Sequence, residues 1–175
     1  MPFSLSLRQL RISNMNYREL YASILLRRQR IIDSGKGLPK SVLNRNNYGA
    51  MHTNLTSDKQ NYSLLDVLNK IFAGEDHWLR VTLERETSVY PDGGFATVEE
   101  LDNAFRDHQA SLLTLTGMGP EGGWEAWFAL PDAPELSYPA SVIFAQFLCN
   151  EWRLWGMAEF LLKANGLEPP ILDLI

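Results

Sequence analysis

Residues 137–166, SYPASVIFAQFLCNEWRLWGMAEFLLKANG, form the most apolar long stretch of the chain and read as a helix at the centre of a core. Ser137 can cap the first free amides, and Pro139 in the first turn has no amide to satisfy. Asn165-Gly166 tolerates the left-handed conformation of a helix end, and Pro169-Pro170 forbids continuation. Between these signals Val142, Phe144, Phe147, Leu148, Trp152, Trp155, Phe160 and Leu161 cover most of the circumference, leaving a polar line through Gln146, Asn150 and Arg153. A helix apolar nearly all round is buried. Gln146, Asn150, Glu151 and Arg153 break any window of about 18 apolar residues, which excludes a membrane span. Gly156 predicts a bend where two shorter helices meet, or the close approach of another backbone. Trp152 and Trp155, three apart, share one face and read as core. Cys149, the single cysteine, sits in mid-helix and reads as an inert packing residue, so no disulfide forms within the chain.

The net charge of −5 hides an asymmetry. Through Asn47 there are nine Lys/Arg against only Glu19 and Asp33, a surplus of seven positive charges, while the remaining seven basic and nineteen acidic residues leave the rest at −12. A basic head is joined to an acidic body. The head, residues 1–34, comprises an arm and a basic amphipathic helix over 16–33, opened by Asn16 with Glu19 three residues on. Arg27 and Arg30 stand on its solvent side. Arg28 falls on the apolar stripe between Ile24 and Ile32, which predicts that it snorkels or pairs with an acid. Residues 35–62 are polar and asparagine-rich and read as a loop.

The body, residues 63–175, predicts an α+β fold. Ser63 with Asp66 opens a helix over 63–73 that Gly74 closes, and Thr97 with Glu100 opens another over 97–110. Residues 77–87 alternate Leu79, Val81 and Leu83 against Arg80, Thr82 and Glu84, the period of a half-exposed strand. Residues 111–117 and 124–130 read as two further strands joined by the glycine-rich turn GMGPEGG at 117–123. The expected architecture is a small antiparallel sheet of about three strands on the 138–165 helix.

No nucleophile elbow and no phosphate-loop lysine are present, and His52, His77 and His108 have no recognised ligand spacing, so no catalytic residue, metal or cofactor is assigned. Glu75-Asp76-His77 and Asp107-His108 form the one set that could converge as an acid–base cluster. Met15–Tyr21, MNYRELY, resembles the first helix of some phage-encoded HNH endonucleases, without the histidine pair that such an activity requires. TVEELDNAF at 97–105, followed by LLTLTG and WEAWFAL, is similar in layout to small bacterial immunity and phage accessory proteins, which implies a binding role. The expectation is a non-enzymatic cytoplasmic protein that binds and inhibits or regulates a macromolecule. Its partner is a basic or nucleic-acid-binding protein met by Glu99, Glu100, Asp102, Asp107, Glu121 and Glu125. Direct nucleic-acid contact through Arg27 and Arg30, homodimerisation, and a nucleic-acid- or nucleotide-acting hydrolase using Asp76, His77 and His108 are the alternatives.

Overall fold

The computed structural model describes residues 16–45, 62–83, 88–130 and 133–168. The expected N-terminal arm, most of the 35–62 loop and positions 84–87 lie outside the described residues. Helix α1 runs Tyr17–Lys36, a four-residue helix α2 covers Lys40–Leu43, and three long helices follow: α3 (Leu64–Leu83), α4 (Val98–Met118) and α5 (Ala140–Ala164). Between α4 and α5 stand two strands, β1 (Trp127–Leu130) and β2 (Ala133–Pro139). The architecture is a helix-rich α+β fold with one two-stranded antiparallel sheet and a long C-terminal helix. No helix among the described residues is long and apolar enough to cross a membrane.

The capping signals act as the sequence suggests. Asn16 Oδ1 accepts from Glu19 N, Ser63 Oγ accepts from Asp66 N while Asp66 Oδ2 accepts from Ser63 N, and Thr97 with Glu100 completes a reciprocal box. Two expected strands are helix instead. Residues 77–83 complete α3 and residues 111–118 complete α4. The reason is the spacing of buried groups: Leu101, Phe105, His108, Leu112 and Leu115 recur every three or four residues, so one buried face runs unbroken through the segment. On α3, Leu68, Ile71, Phe72, Glu75, Leu79 and Thr82 do the same, and the alternation of Leu79, Val81 and Leu83 is incidental. Gly74 does not end the helix. Gly119, at φ +77°, ends α4 and begins the turn into the hairpin.

The third expected strand survives as Trp127–Leu130, but its partner is the segment before α5. Trp127 lies opposite Pro139, Phe128 opposite Tyr138 and Ala129 opposite Ser137, with a register irregularity at Leu130. Ser137 and Tyr138 are therefore extended, as the residue before a proline prefers, and Ser137 does not cap the helix. The first amides of α5 are satisfied from further back: Ala140 N donates to Ala126 O at 2.8 Å and Ser141 N to Trp124 O at 2.9 Å.

Helix α5 is continuous through Gly156, and Arg27 is what approaches that glycine, its Nη2 3.9 Å from where a Cβ would stand. Not all of α5 is covered, since Val142, Cys149, Arg153 and Phe160 are exposed. The core is one cluster fed by all four long helices. Phe144 is ringed by Tyr17, Trp78, Trp124 and Phe147 at 4.8–5.5 Å, and Phe72 by Phe95, Phe105 and His108 at 4.5–5.3 Å. Trp155 is fully buried. Tyr17, Tyr21, Ile24, Ile31 and Ile32 place the apolar stripe of α1 inside the same cluster, so this helix docks on its own chain.

Candidate functional site

The antiparallel neighbours α3 and α5 diverge enough to leave a groove of about 510 Å³ that the hairpin overhangs at one end. Ile71, Gly74, His77 and Trp78 form the α3 wall. Opposite them stand Val142, Gln146, Phe147, Asn150, Glu151 and Leu154 of α5, and Leu130 with Tyr138 comes from the hairpin. The residues at i, i+3, i+4 and i+7 of each helix share a face, so the groove is a direct product of helical spacing.

Beneath it lies a buried ionic cluster. Arg28 of α1 pairs with Glu75 of α3 through a short contact, and the Tyr21 hydroxyl donates to Glu75 Oε1 at 3.1 Å. Glu151 of α5, 2% exposed, accepts from the Trp155 indole Nε1 at 2.8 Å. The Arg28 guanidinium also lies 4.4 Å from the centre of the Phe105 ring. Burial pushes both carboxyls up. Arg28 and Tyr21 pull Glu75 back toward the charged form, whereas the negative charge of Glu75 drives Glu151 further up. Glu75 is thus the counter-ion of Arg28, and Glu151 is the carboxyl pushed further toward its neutral form. Burial and the same neighbouring charge also hold the Tyr21 hydroxyl well above its ordinary range.

The sequence flags Arg28 by its place on an apolar stripe, and the structure gives it an acid. Glu151 escaped the sequence reading. Its signal was positional: Phe144, Phe147, Leu148, Leu154, Trp155 and Ala158 flank it at helical spacing, which puts a carboxyl in the middle of a buried face.

The assigned acidic residues fall into two groups. Glu99, Glu100, Asp102 and Asp107 belong to α4, and Glu121 and Glu125 to the loop beyond its end. At 1.5 Å per residue, Glu99 and Glu121 are separated by roughly 30 Å along the helix direction. Glu100 is engaged at the helix start, its Oε2 accepting from Ala96 N and Thr97 N. Asp102 is buried between Lys36 at 2.6 Å and Arg106 at 2.8 Å. Burial acts to raise its carboxyl, and the hydrogen bonds from Lys36 and Arg106 outweigh it and hold the group below its ordinary value. Glu99, Asp107, Glu121 and Glu125 are exposed. Arg27 grips Glu159 with two hydrogen bonds of 2.6 and 2.7 Å and lies over the Trp152 ring, while Arg30 is exposed.

Asp76 and His108 do converge, 3.7 Å apart and buried, but His77 points to the groove wall instead. Ser88 Oγ donates to Asp76. Asp76 also accepts from Val89 N, which makes it an anchor for the chain leaving α3. Among the described residues no group of three or more His, Cys, Asp or Glu side chains could hold a metal ion.

The hairpin exposes apolar side chains. Trp127 is 67% exposed, and Leu136 and Tyr138 are each more than a third exposed. Residues directly opposite share a face, so Trp127 and Pro139 face one way while Phe128 and Tyr138 face the groove side. Neither a protein-family model nor a curated protein matches the chain.

Proposed function

We propose that this protein acts by binding a protein partner, which it inhibits or regulates in the manner of an immunity protein, and that the hairpin is the surface it offers. The observation that carries this reading is Trp127, the residue type most enriched at binding hot spots, held two-thirds exposed on a rigid two-stranded platform. Each strand has one outer edge unpaired among the described residues, so its main-chain groups can accept an added strand. Glu121 and Glu125 at the base of the platform, with Glu135 on it, are exposed carboxylates that favour a basic or nucleic-acid-binding partner in the cytoplasm.

The test is affinity capture with the full chain across about 50–200 mM salt, followed by titration of the purified partner. Stoichiometric binding that Trp127→Ala weakens at least roughly tenfold, and that Glu121→Lys with Glu125→Lys weakens mainly at low salt, supports the reading. Binding indifferent to the hairpin and lost on reversing Glu99 and Asp107 moves the surface to α4. A dimer in sedimentation that Trp127→Ala dissociates makes a second copy the partner.

A further inference from the structure

The groove has two features that the packing of the fold does not require. Gly74 stands in the middle of α3, where a glycine costs about 0.5–1 kcal/mol against alanine. A Cβ built there meets nothing within 4 Å, so no neighbour excludes a side chain, and the missing Cβ leaves bare helix backbone on the groove wall. The second feature is the charge count under the floor. Glu151 is faced by Tyr21 and Arg28 from α1, Glu75 from α3 and Trp155 from its own helix, with His77 further out on the wall. Two carboxyls share one guanidinium, which leaves the cluster one cation short of neutrality when both are ionised.

We propose that the groove binds a small organic amine, its apolar body lying against the bare backbone at Gly74 and its protonated nitrogen on the Glu151 carboxylate. The walls suit the body: Ile71, Trp78, Val142, Phe147 and Leu154 are apolar, and the volume falls in the range of roughly 300–1,000 Å³ typical of small-molecule sites. The Trp155 indole already donates to Glu151 Oε2, so the carboxylate keeps a hydrogen bond when the ammonium takes another of its lone pairs. Gln146, on the same wall, offers its amide oxygen to a remaining N–H group, while the Asn150 oxygen already accepts from Arg153 Nη2 at 3.2 Å. The proton balance is explicit: the amine arrives as its conjugate acid and pairs with the ionised Glu151, so the proton that burial favours on this carboxyl leaves to solvent. The ligand thereby supplies the second cation. This site is distinct from the partner surface proposed above, because Trp127 lies on the other face of the hairpin.

The test uses the full chain with phenylbutylamine and its uncharged match, phenylbutanol. Binding is read by tryptophan fluorescence, and proton release by calorimetry at neutral pH in two buffers of different ionisation enthalpy. The expected result is saturable amine binding about tenfold or more tighter than the alcohol, with net proton release. Glu151→Gln, which keeps an oxygen for the Trp155 indole, should erase the preference for the amine and leave the alcohol unchanged. Gly74→Leu should weaken both by about tenfold while the protein still melts cooperatively. Equal binding of amine and alcohol, no proton release, amine binding unchanged in Glu151→Gln or Gly74→Leu, or no saturable binding of either probe up to about 1 mM overturns the proposal.

Discussion

Arg27 and Arg28 are adjacent in α1 and tie it to the body in opposite ways. Arg27 is partly buried at the rim of the body, forked onto Glu159 and lying over Trp152. Arg28 is sealed inside with Glu75, Tyr21 and Phe105. Water screens the first pair and competes for it, so it adds little to stability; it guides α1 to its seat. The second pair is buried, so each partner is held by the penalty of leaving the other alone. The difference is one of consequence on removal more than of attraction.

Four measurements can break or sharpen that contrast. Arg28→Met strands the Glu75 carboxylate in the core and should lower unfolding free energy by about 3–5 kcal/mol in urea titration. Adding Glu75→Met should recover most of that loss, because an apolar pair of similar volume restores packing without a buried charge. A loss below about 1 kcal/mol for Arg28→Met alone would mean that water reaches the cluster.

Glu151→Gln should act in the other direction. Below the carboxylate range both folded and unfolded chains are protonated at this position and nothing is lost. As pH rises past about 4.3 the unfolded chain ionises while the buried carboxyl does not, so stability falls until pH passes the raised folded value. The amide has no such titration. The variant should be more stable than the wild type at neutral pH and equal to it at acid pH, as followed by urea midpoints across the range.

Arg27→Ala should cost about 1 kcal/mol or less, combining an ion pair worth roughly 0–1 kcal/mol with the aromatic contact. The part due to the ion pair should shrink at 1 M salt, which no salt titration of Arg28→Met should reproduce. The smallest effect belongs to Asp102. Its carboxyl is held below the ordinary value, so it contributes stability above the unfolded value that is lost as pH falls through the folded one. Asp102→Asn should lower stability at neutral pH, with the difference from the wild type closing as pH falls through the folded value, as followed by thermal melts.

The sequence is most legible where a local rule decides the structure. Asn16, Ser63 and Thr97 announce their helices because an N-cap acts on amides two or three residues away. It misleads where two periods overlap. Leu79, Val81 and Leu83 alternate over five residues, too short a run to distinguish a strand from the continuing helical face of Ile71, Phe72, Glu75 and Leu79. Gly74 strengthened the error by imitating a helix end. Of the buried cluster, the sequence flagged Arg28, whose charge on an apolar stripe demanded a partner, and singled out Glu75 only beside Asp76 and His77, not as that partner. Glu151 was hidden for the converse reason: it reads as an ordinary surface acid until distant helices close over it.

The hydrogen bonds from Ala140 and Ser141 back to Ala126 and Trp124 make the start of α5 a long-range event. With no side-chain cap at Pro139, those two amides find acceptors only once the chain has turned through the hairpin. Strand closure and helix initiation therefore become one cooperative folding unit. Deuterium uptake at Ala140 and Ser141 should follow the opening of the hairpin, while the amides of the next turns of α5 outlast it.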